Sequence, residues 1–346
     1  MPAAWGLRGD PLPAIRRGLL VALPIGIALI VELEGDAKTA GALSTATLVC
    51  GFIAFDAPAR VRVRWQLLCA PLIGIAAALG VLSSSTVPLA IAAMALVAGI
   101  GGYLVAVSLR MAIAGLSCVL AFLIAQGLFL EPGDTDRVLL FGIGGGLVQA
   151  FTALVAWVVS DRGREAFELR RAAADTLAKL RAGLSLRSAS MRHALRFGGA
   201  LAIGVAIYRI AGFDDHGYWV PLTILFVLKP DANQTGERIA MRAAGTVIGL
   251  VLATALAEIL GEAAIPSAIL LTVAAALAYA LLAIEYALFT TAITVYVVLL
   301  TDTLGSPAFD AAGERALGTM LGIIVAALAF RVFGEVEERE EAAERV

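Results

Sequence analysis

The sequence predicts an all-α membrane protein: twelve transmembrane helices in two parallel six-helix repeats joined by a short cytoplasmic linker. Three observations carry this expectation. The first is composition. Of 346 residues, 60% are hydrophobic and 16% charged, with a mean hydropathy of +0.90, against about 45–50% apolar and about 25% charged in a soluble domain. The second is a succession of apolar runs near the length of about 20 residues that a hydrocarbon core about 30 Å thick requires. The third is a self-match at a shift of 178 residues, as from Ile25 to Ile203. The composition excludes an ordinary soluble enzyme, a nucleic-acid binder and a disordered chain. A net charge of -2 and a pI near 5.8 leave no basic footprint for nucleic acid. Cys50, Cys69 and Cys118 all lie in apolar runs, which predicts buried thiols rather than disulfides or a zinc cluster.

Taken in order, the runs are Gly18–Val31, Ala40–Phe55, Gln66–Leu82, Pro88–Val107, Met111–Leu130, Val138–Val159, Phe197–Tyr208, Gly217–Leu228, Ala243–Leu260, Ala264–Ile284, Tyr286–Thr301 and Ala316–Phe333. Several fall below the usual range of about 17–25 residues, so those helices extend into polar flanks or lie partly inside the protein. Arg16 and Arg17 before the first run resemble the start of a secretory signal, but no small-residue cleavage site follows, so it is expected to remain as a span. The expected organisation is a first repeat over 1–160, a linker over 161–192, a second repeat over 193–333 and an acidic cytoplasmic tail over 334–346. Phe167, Ala174, Leu177, Leu180 and Leu184 fall at roughly helical spacing in the linker. They predict an amphipathic helix on the lipid surface or against the bundle, or a regulatory or dimerising element.

Orientation follows from the basic residues. Numbering the connections alternately, all 26 Lys and Arg fall on one side except Lys38, Arg137, Arg209 and Arg315. The positive-inside rule then puts both termini and the linker in the cytoplasm. The 178-residue shift also pairs Gly26 with Gly204, Asp36 with Asp214, Thr45 with Thr223, Arg60 with Arg238, Arg64 with Arg242, Arg137 with Arg315 and Gly144 with Gly322. Six spans per half means both halves enter the membrane in one direction. Transporters built this way commonly hold substrate at the repeat interface.

The most informative stretch is 218–249, YWVPLTILFVLKPDANQTGERIAMRAAGTVIG. It reads as a short apolar run interrupted by Pro221, a polar turn from Lys229 to Gly236, and a helix from near Glu237. Arg238, Arg242, Gly245 or Thr246, and Gly249 share one face of that helix, and its glycines allow a neighbour to approach closely. The pattern R-x-x-G-T-x-x-G recurs at Arg315, Gly318, Thr319 and Gly322. Tyr218, Trp219, Leu222, Thr223, Lys229, Pro230, Asp231, Thr235, Gly236, Arg238, Arg242, Gly245, Thr246 and Gly249 together resemble the fingerprint of the FUSC (fusaric acid resistance protein-like) family. That family includes the bacterial aromatic acid exporters, and the plant aluminium-activated malate transporters are similar to one half of the arrangement. Two departures stand out. The first half keeps Thr45, Arg60 and Arg64 but has Leu67, Leu68 and Pro71 in place of the Gly-Thr pair. Long family members carry a large soluble domain where this chain has only the linker. The short linker counts against a periplasmic adaptor as partner, and a homodimer is left open.

Arg60, Arg64, Arg238 and Arg242 have two readings. The positive-inside rule explains them without function. Alternatively, they open helices whose free N–H groups, together with the guanidinium, attract a carboxylate. Arg137 and Arg315 lie on the depleted side, and they either pair locally with Asp136 and Glu314 or form a second basic position on an anion path, near the other membrane face. The short segments Ala40–Phe55 and Gly217–Leu228 occupy equivalent places in the two halves, which points to a binding site. Their Ser44, Thr45, Thr47 and Thr223 either touch substrate or bond backbone. Tyr286, Thr290 and Thr294 form a stripe that suits either an aromatic acid or interhelical packing, with Tyr296 nearby. Trp65, Trp157 and Trp219 read as interface anchors. His193, His216, Glu258, Glu285 and Asp302 are the titratable groups nearest the spans, and none makes a convincing proton-coupling site alone. The run Gly142–Gly146 lacks the context of a phosphate loop. No catalytic constellation, metal-ligand spacing or cofactor site is expected.

The resulting expectation is a secondary transporter for small organic anions in the lipid bilayer. Arg64, Arg242, Arg137, Arg315, Thr45, Thr223, Arg60 and Arg238 are its candidate substrate-binding residues. The aromatic substrate and the export direction are what the resemblance implies. A passive anion channel and a non-transport envelope scaffold are the alternatives.

Overall fold

The computed structural model describes residues 11–32, 37–128, 132–160, 179–181, 185, 188–213, 217–229, 232–261, 263–282, 284–303 and 308–344. The expected linker helix falls largely outside these residues. The described chain is helical, and its α-helices are α1 Pro11–Glu32, α2 Ala37–Gly51, α3 Ala59–Ser83, α4 Val87–Tyr103, α5 Leu109–Leu128, α6 Thr135–Ser160, α7 Ala189–Ala211, α8 Trp219–Val227, α9 Ala232–Leu260, α10 Ala264–Leu281, α11 Tyr286–Thr303 and α12 Ala308–Glu344. Seven helices among the described residues are long and apolar enough to cross a membrane, and shorter apolar stretches occur at Gly41–Gly51, Val87–Tyr103 and Ile265–Leu281. Each lies where an apolar run predicts a helix. The segment 334–344 is helical as well, because α12 continues through it as one element of 37 residues.

Local chemistry sets the ends. Ser188 caps α7 by accepting a hydrogen bond from the Met191 N–H at 3.1 Å. The same helix stops at Gly212, whose φ of 71° is the left-handed conformation that glycine adopts without steric cost. Glu285 is buried at the start of α11, where its carboxylate caps the helix by accepting from the Leu288 N–H at 2.7 Å.

Packing relies on small residues. α1 lies along α10, with Gly18 against the Ala276 carbonyl and Gly26 against Thr272; α7 lies along α4, with Gly198 against the Ala95 carbonyl. α6 packs on α3 and α2, and the glycine run supplies those contacts: Gly142 meets Gly74, Gly145 meets Ala46 and Gly146 meets Ala70. This is the close approach that small residues permit between apolar helices, where lipid is as apolar as leucine and packing geometry has to hold the bundle together. The larger apolar side chains stand on the outside instead. Leu68, Leu72, Ile75 and Leu79 form an exposed stripe on α3, as Val247 and Val251 do on α9, in keeping with a lipid-facing surface. Cys50 and Cys69 are buried and Cys118 half-buried, all three as free thiols.

The pairwise contacts follow a regular scheme. In the first half α3 packs on α5 and α6, α2 on α6, α4 on α5, and α1 on α2. In the second half α9 packs on α11 and α12, α8 on α12, α10 on α11, and α7 on α8. The two strongest contacts between halves are α4 with α7 and α1 with α10.

Candidate functional site

α8 is the element around which the site is built. It has nine residues and, apart from Phe226, is buried all round. At 1.5 Å per residue it spans about 14 Å, too short to cross a core of about 30 Å as a helix. It ends at Leu228, which is extended, because Lys229 precedes Pro230 and proline disfavours helical backbone in the residue before it. Thr235 Oγ1 accepts from the Lys229 N–H at 3.1 Å and donates to its carbonyl at 3.4 Å, closing the turn that leads into α9.

The two R-x-x-G-T-x-x-G patterns fall on α9 and α12 and work in the same way. On α9, Gly245 and Gly249 sit against Ala287, Thr290 and Thr294 of α11; on α12, Gly318 and Gly322 sit against Trp219 and Thr223 of α8. The arginine one turn before each glycine pair is drawn inside. Arg242 is 0% exposed and Arg315 1%. The Arg242 guanidinium lies 5.2 Å from the Phe226 ring centroid, and that of Arg315 lies 4.3 Å from the Trp219 ring. Arg315 Nη2 also donates to Thr294 Oγ1 at 3.3 Å.

Both arginines line one cavity of about 180 Å³. Its walls come from α2 (Gly41, Thr45, Leu48, Val49) and the turn after it (Phe52), α5 (Leu120, Ile124, Leu128), the start and face of α8 (Tyr218, Trp219, Leu222, Phe226) and α11 (Phe289, Ile293, Tyr296, Val297, Leu300, Thr301). Among the described residues no carboxylate lines it. Nε and Nη1 of Arg242 and Nε and Nη1 of Arg315 have no hydrogen-bond partner in the protein. Desolvating a charge costs several kcal/mol unless it is paired, and ring faces recover only about 0.5–2 kcal/mol each. Two incompletely satisfied guanidiniums in an apolar chamber have the chemistry to accept an anion, and the planar fork suits a carboxylate.

The sequence candidates divide among different environments. Arg242, Arg315 and Thr45 come together in the cavity, so the two arginines share one chamber instead of standing near opposite faces. Arg238 lies one turn outside, 3.9 Å over the Tyr286 ring. Thr223 is buried but faces Gly322 of α12. Arg60 is half-buried and Arg64 exposed on α3. Arg137 is 3.8 Å from Asp134, three residues before it on a neighbouring turn, so its local ion partner is Asp134 rather than Asp136. Ser44 and Thr47 bond the carbonyls of Gly41 and Leu43 in their own helix. Thr290 and Thr294 of the α11 stripe pack on the α9 glycines, and Tyr286 donates to the Phe226 carbonyl at 3.4 Å. Glu258 is exposed, Asp302 half-buried, and His193 buried beside Phe197 and Arg196; His216 lies outside the described residues.

Sequence reasoning missed two residues. Trp219, read as an interface anchor, is 2% exposed and forms the floor under Arg315. Its place two residues before Pro221 in a short apolar run was the available signal. Arg62 is the buried arginine of α3, and its Nε has no protein partner. A gapless shift passes over it, since it aligns Arg60 and Arg64 instead.

Residues 201–329 match the family described as fusaric acid resistance protein-like. The chain is similar to inner membrane protein YccS of Escherichia coli (strain K12), 35% identical over 143 residues, covering 40% of this chain and 19% of that protein. An uncharacterized protein, ORF2, of Neisseria gonorrhoeae is 36% identical over 78 residues, 22% of this chain and 18% of that protein. An uncharacterized protein of Synechocystis is 29% identical over 154 residues, 44% of this chain and 20% of that one. The matched stretches thus span about a fifth of these relatives' own length. No solved structure matches the chain. The region that holds α8, Arg242 and Arg315 therefore lies within the stretch that matches the fusaric acid resistance protein-like family, in an α-helical membrane protein.

Proposed function

We propose that this protein is a transporter that moves small organic anions, aromatic carboxylates first among them, out of the bacterial cytoplasm across the inner membrane. One observation carries the reading: two fully buried arginines, each with guanidinium nitrogens lacking a protein partner, line a single aromatic-walled cavity. At about 180 Å³ the chamber is near the size of an engineered cavity, about 150 Å³, that takes up benzene. A one-ring carboxylate meets Phe52, Phe226, Phe289 and Trp219 on its apolar faces and the arginine forks at its charged end. The export direction and the aromatic preference come from the family resemblance.

The same reading includes twelve spans in two parallel six-helix repeats. It is supported by the contact scheme, in which each of the five principal pairings within one half has a counterpart in the other and the α4–α7 contact answers α1–α10. Arg242 lies about ten residues inside α9 and Arg315 about seven inside α12, roughly 15 Å and 10 Å along helices that enter from opposite faces. Both depths fall toward the middle of a core about 30 Å thick, where transporters hold substrate. Orientation with both termini cytoplasmic rests on the distribution of basic residues.

Uptake of labelled benzoate into inside-out vesicles tests the proposal. Saturable uptake is expected, lost in Arg242→Gln and retained in Arg110→Gln, whose side chain is exposed. Undiminished uptake by a folded Arg242→Gln protein overturns the assignment. Non-saturating, purely potential-driven flux favours a channel.

A further inference from the structure

The transport reading leaves open what returns the carrier once its cargo has left, and the cavity bears directly on that step. Its only charged lining groups among the described residues are Arg242 and Arg315. Neither can leave for water by a side-chain swing, because each is packed against a ring: Arg242 on Phe226 and Arg315 on Trp219, with Arg315 also bonded to Thr294. Arginine keeps its charge at physiological pH. Among the described residues no carboxylate or histidine lines the chamber to compensate that charge, and the remaining walls are apolar or aromatic except for the hydroxyls of Thr45, Tyr218, Tyr296 and Thr301. A cycle that reorients the vacated site therefore moves two bare cations through low dielectric, where each uncompensated charge is heavily penalised.

We propose that the site binds a small inorganic anion, chloride, as its second substrate, and that transport runs as an exchange of organic anion for chloride. This rests on the arginine cavity being the transport site. Chloride needs only donors and room: the unpartnered Nε and Nη1 atoms of the two arginines supply donors, and a chamber of about 180 Å³ holds an ion much smaller than a substituted ring. Exchange of one monoanion for another leaves the charge of the chamber the same in both directions of the cycle. It also moves no net charge across the membrane.

The full chain in proteoliposomes, with the membrane potential clamped at zero by potassium and valinomycin, provides the test. Labelled benzoate is presented outside, with either potassium chloride or potassium polyglutamate inside, the latter an anion too large for the cavity. Initial uptake into chloride-loaded vesicles is expected to exceed that into polyglutamate-loaded vesicles by at least about a hundredfold, from the size of the uncompensated-charge penalty. External benzoate should release labelled chloride in equal amount. Removing one cation by Arg315→Gln should shrink the dependence on internal anion. Should that variant fail to fold, the wild-type comparison decides alone. Benzoate binding, followed by intrinsic tryptophan fluorescence in detergent, separates the two ideas. If benzoate binds and enters equally fast with either internal anion, exchange is overturned and transport stands. If benzoate neither binds nor enters under any load, both are overturned.

Discussion

Arg242 and Arg315 owe their burial to the glycines that follow them, and the cost of that burial makes an anion their natural partner. Replacing Arg242 with glutamine removes one of two like charges from an apolar chamber. The unfolding midpoint of the purified protein should therefore stay level or rise, while benzoate affinity falls about 10- to 150-fold, the value of about 1.5–3 kcal/mol for a hydrogen bond to a charged group. A large drop in the midpoint would mark Arg242 as structural instead. Outside the spans, Lys229 titrates in an accessible range. Burial, with Arg238 adding, pushes its pKa down from 10.5 to about 8. Between those values the unfolded chain holds a proton that the folded chain has released, so stability should rise with pH across that window. Lys229→Met should remove this rise, which thermal melts from pH 7.5 to pH 10.5 would reveal by comparison with wild type.

At the scale of the element, α8 and its neighbours show why short and small-residue segments matter here. The nine-residue helix leaves non-helical backbone within the protein, which a membrane tolerates only where protein or a cavity covers it. α9 reaches α11 only because Gly245 has no side chain: a Cβ there would stand 2.3 Å from the Ala287 carbonyl oxygen. Gly245→Ala should cost about 1–3 kcal/mol through overpacking, seen as a lower midpoint, and should weaken benzoate binding by shifting the Arg242 turn. Gly236→Ala, where nothing lies within 4 Å, should be neutral or slightly stabilising, since alanine has the better helix propensity.

For the whole molecule, the paired contact scheme and the basic-residue distribution make one topological statement that labelling can check. In a chain freed of Cys50, Cys69 and Cys118, cysteines placed at the exposed Asp56 and Gly236 should react with an impermeant maleimide from the cytoplasmic side. A cysteine at exposed Gly133 should react from the opposite side. Labelling of all three from one side would refute twelve spans with six in each half.

Much of this architecture was legible because hydropathy and helix length are properties of contiguous sequence. An apolar run specifies a helix wherever it goes, and so each described helix has its run. The R-x-x-G-T-x-x-G patterns on α9 and α12 were legible for the same reason, since one turn of helix puts arginine and glycine on a common face. The assembly of the site was not. Arg64 and Arg62 differ by two positions, and only the rotation of α3 against its neighbours buries the second and exposes the first. Arg242 and Arg315 are far apart in sequence, and periodicity along either helix says nothing about whether the two meet. By itself the sequence determined that this is a helical membrane protein with charged residues set one turn before glycine pairs. The tertiary structure decided which of those charges share a chamber, because helix contacts in an apolar solvent depend on the shapes of both partners.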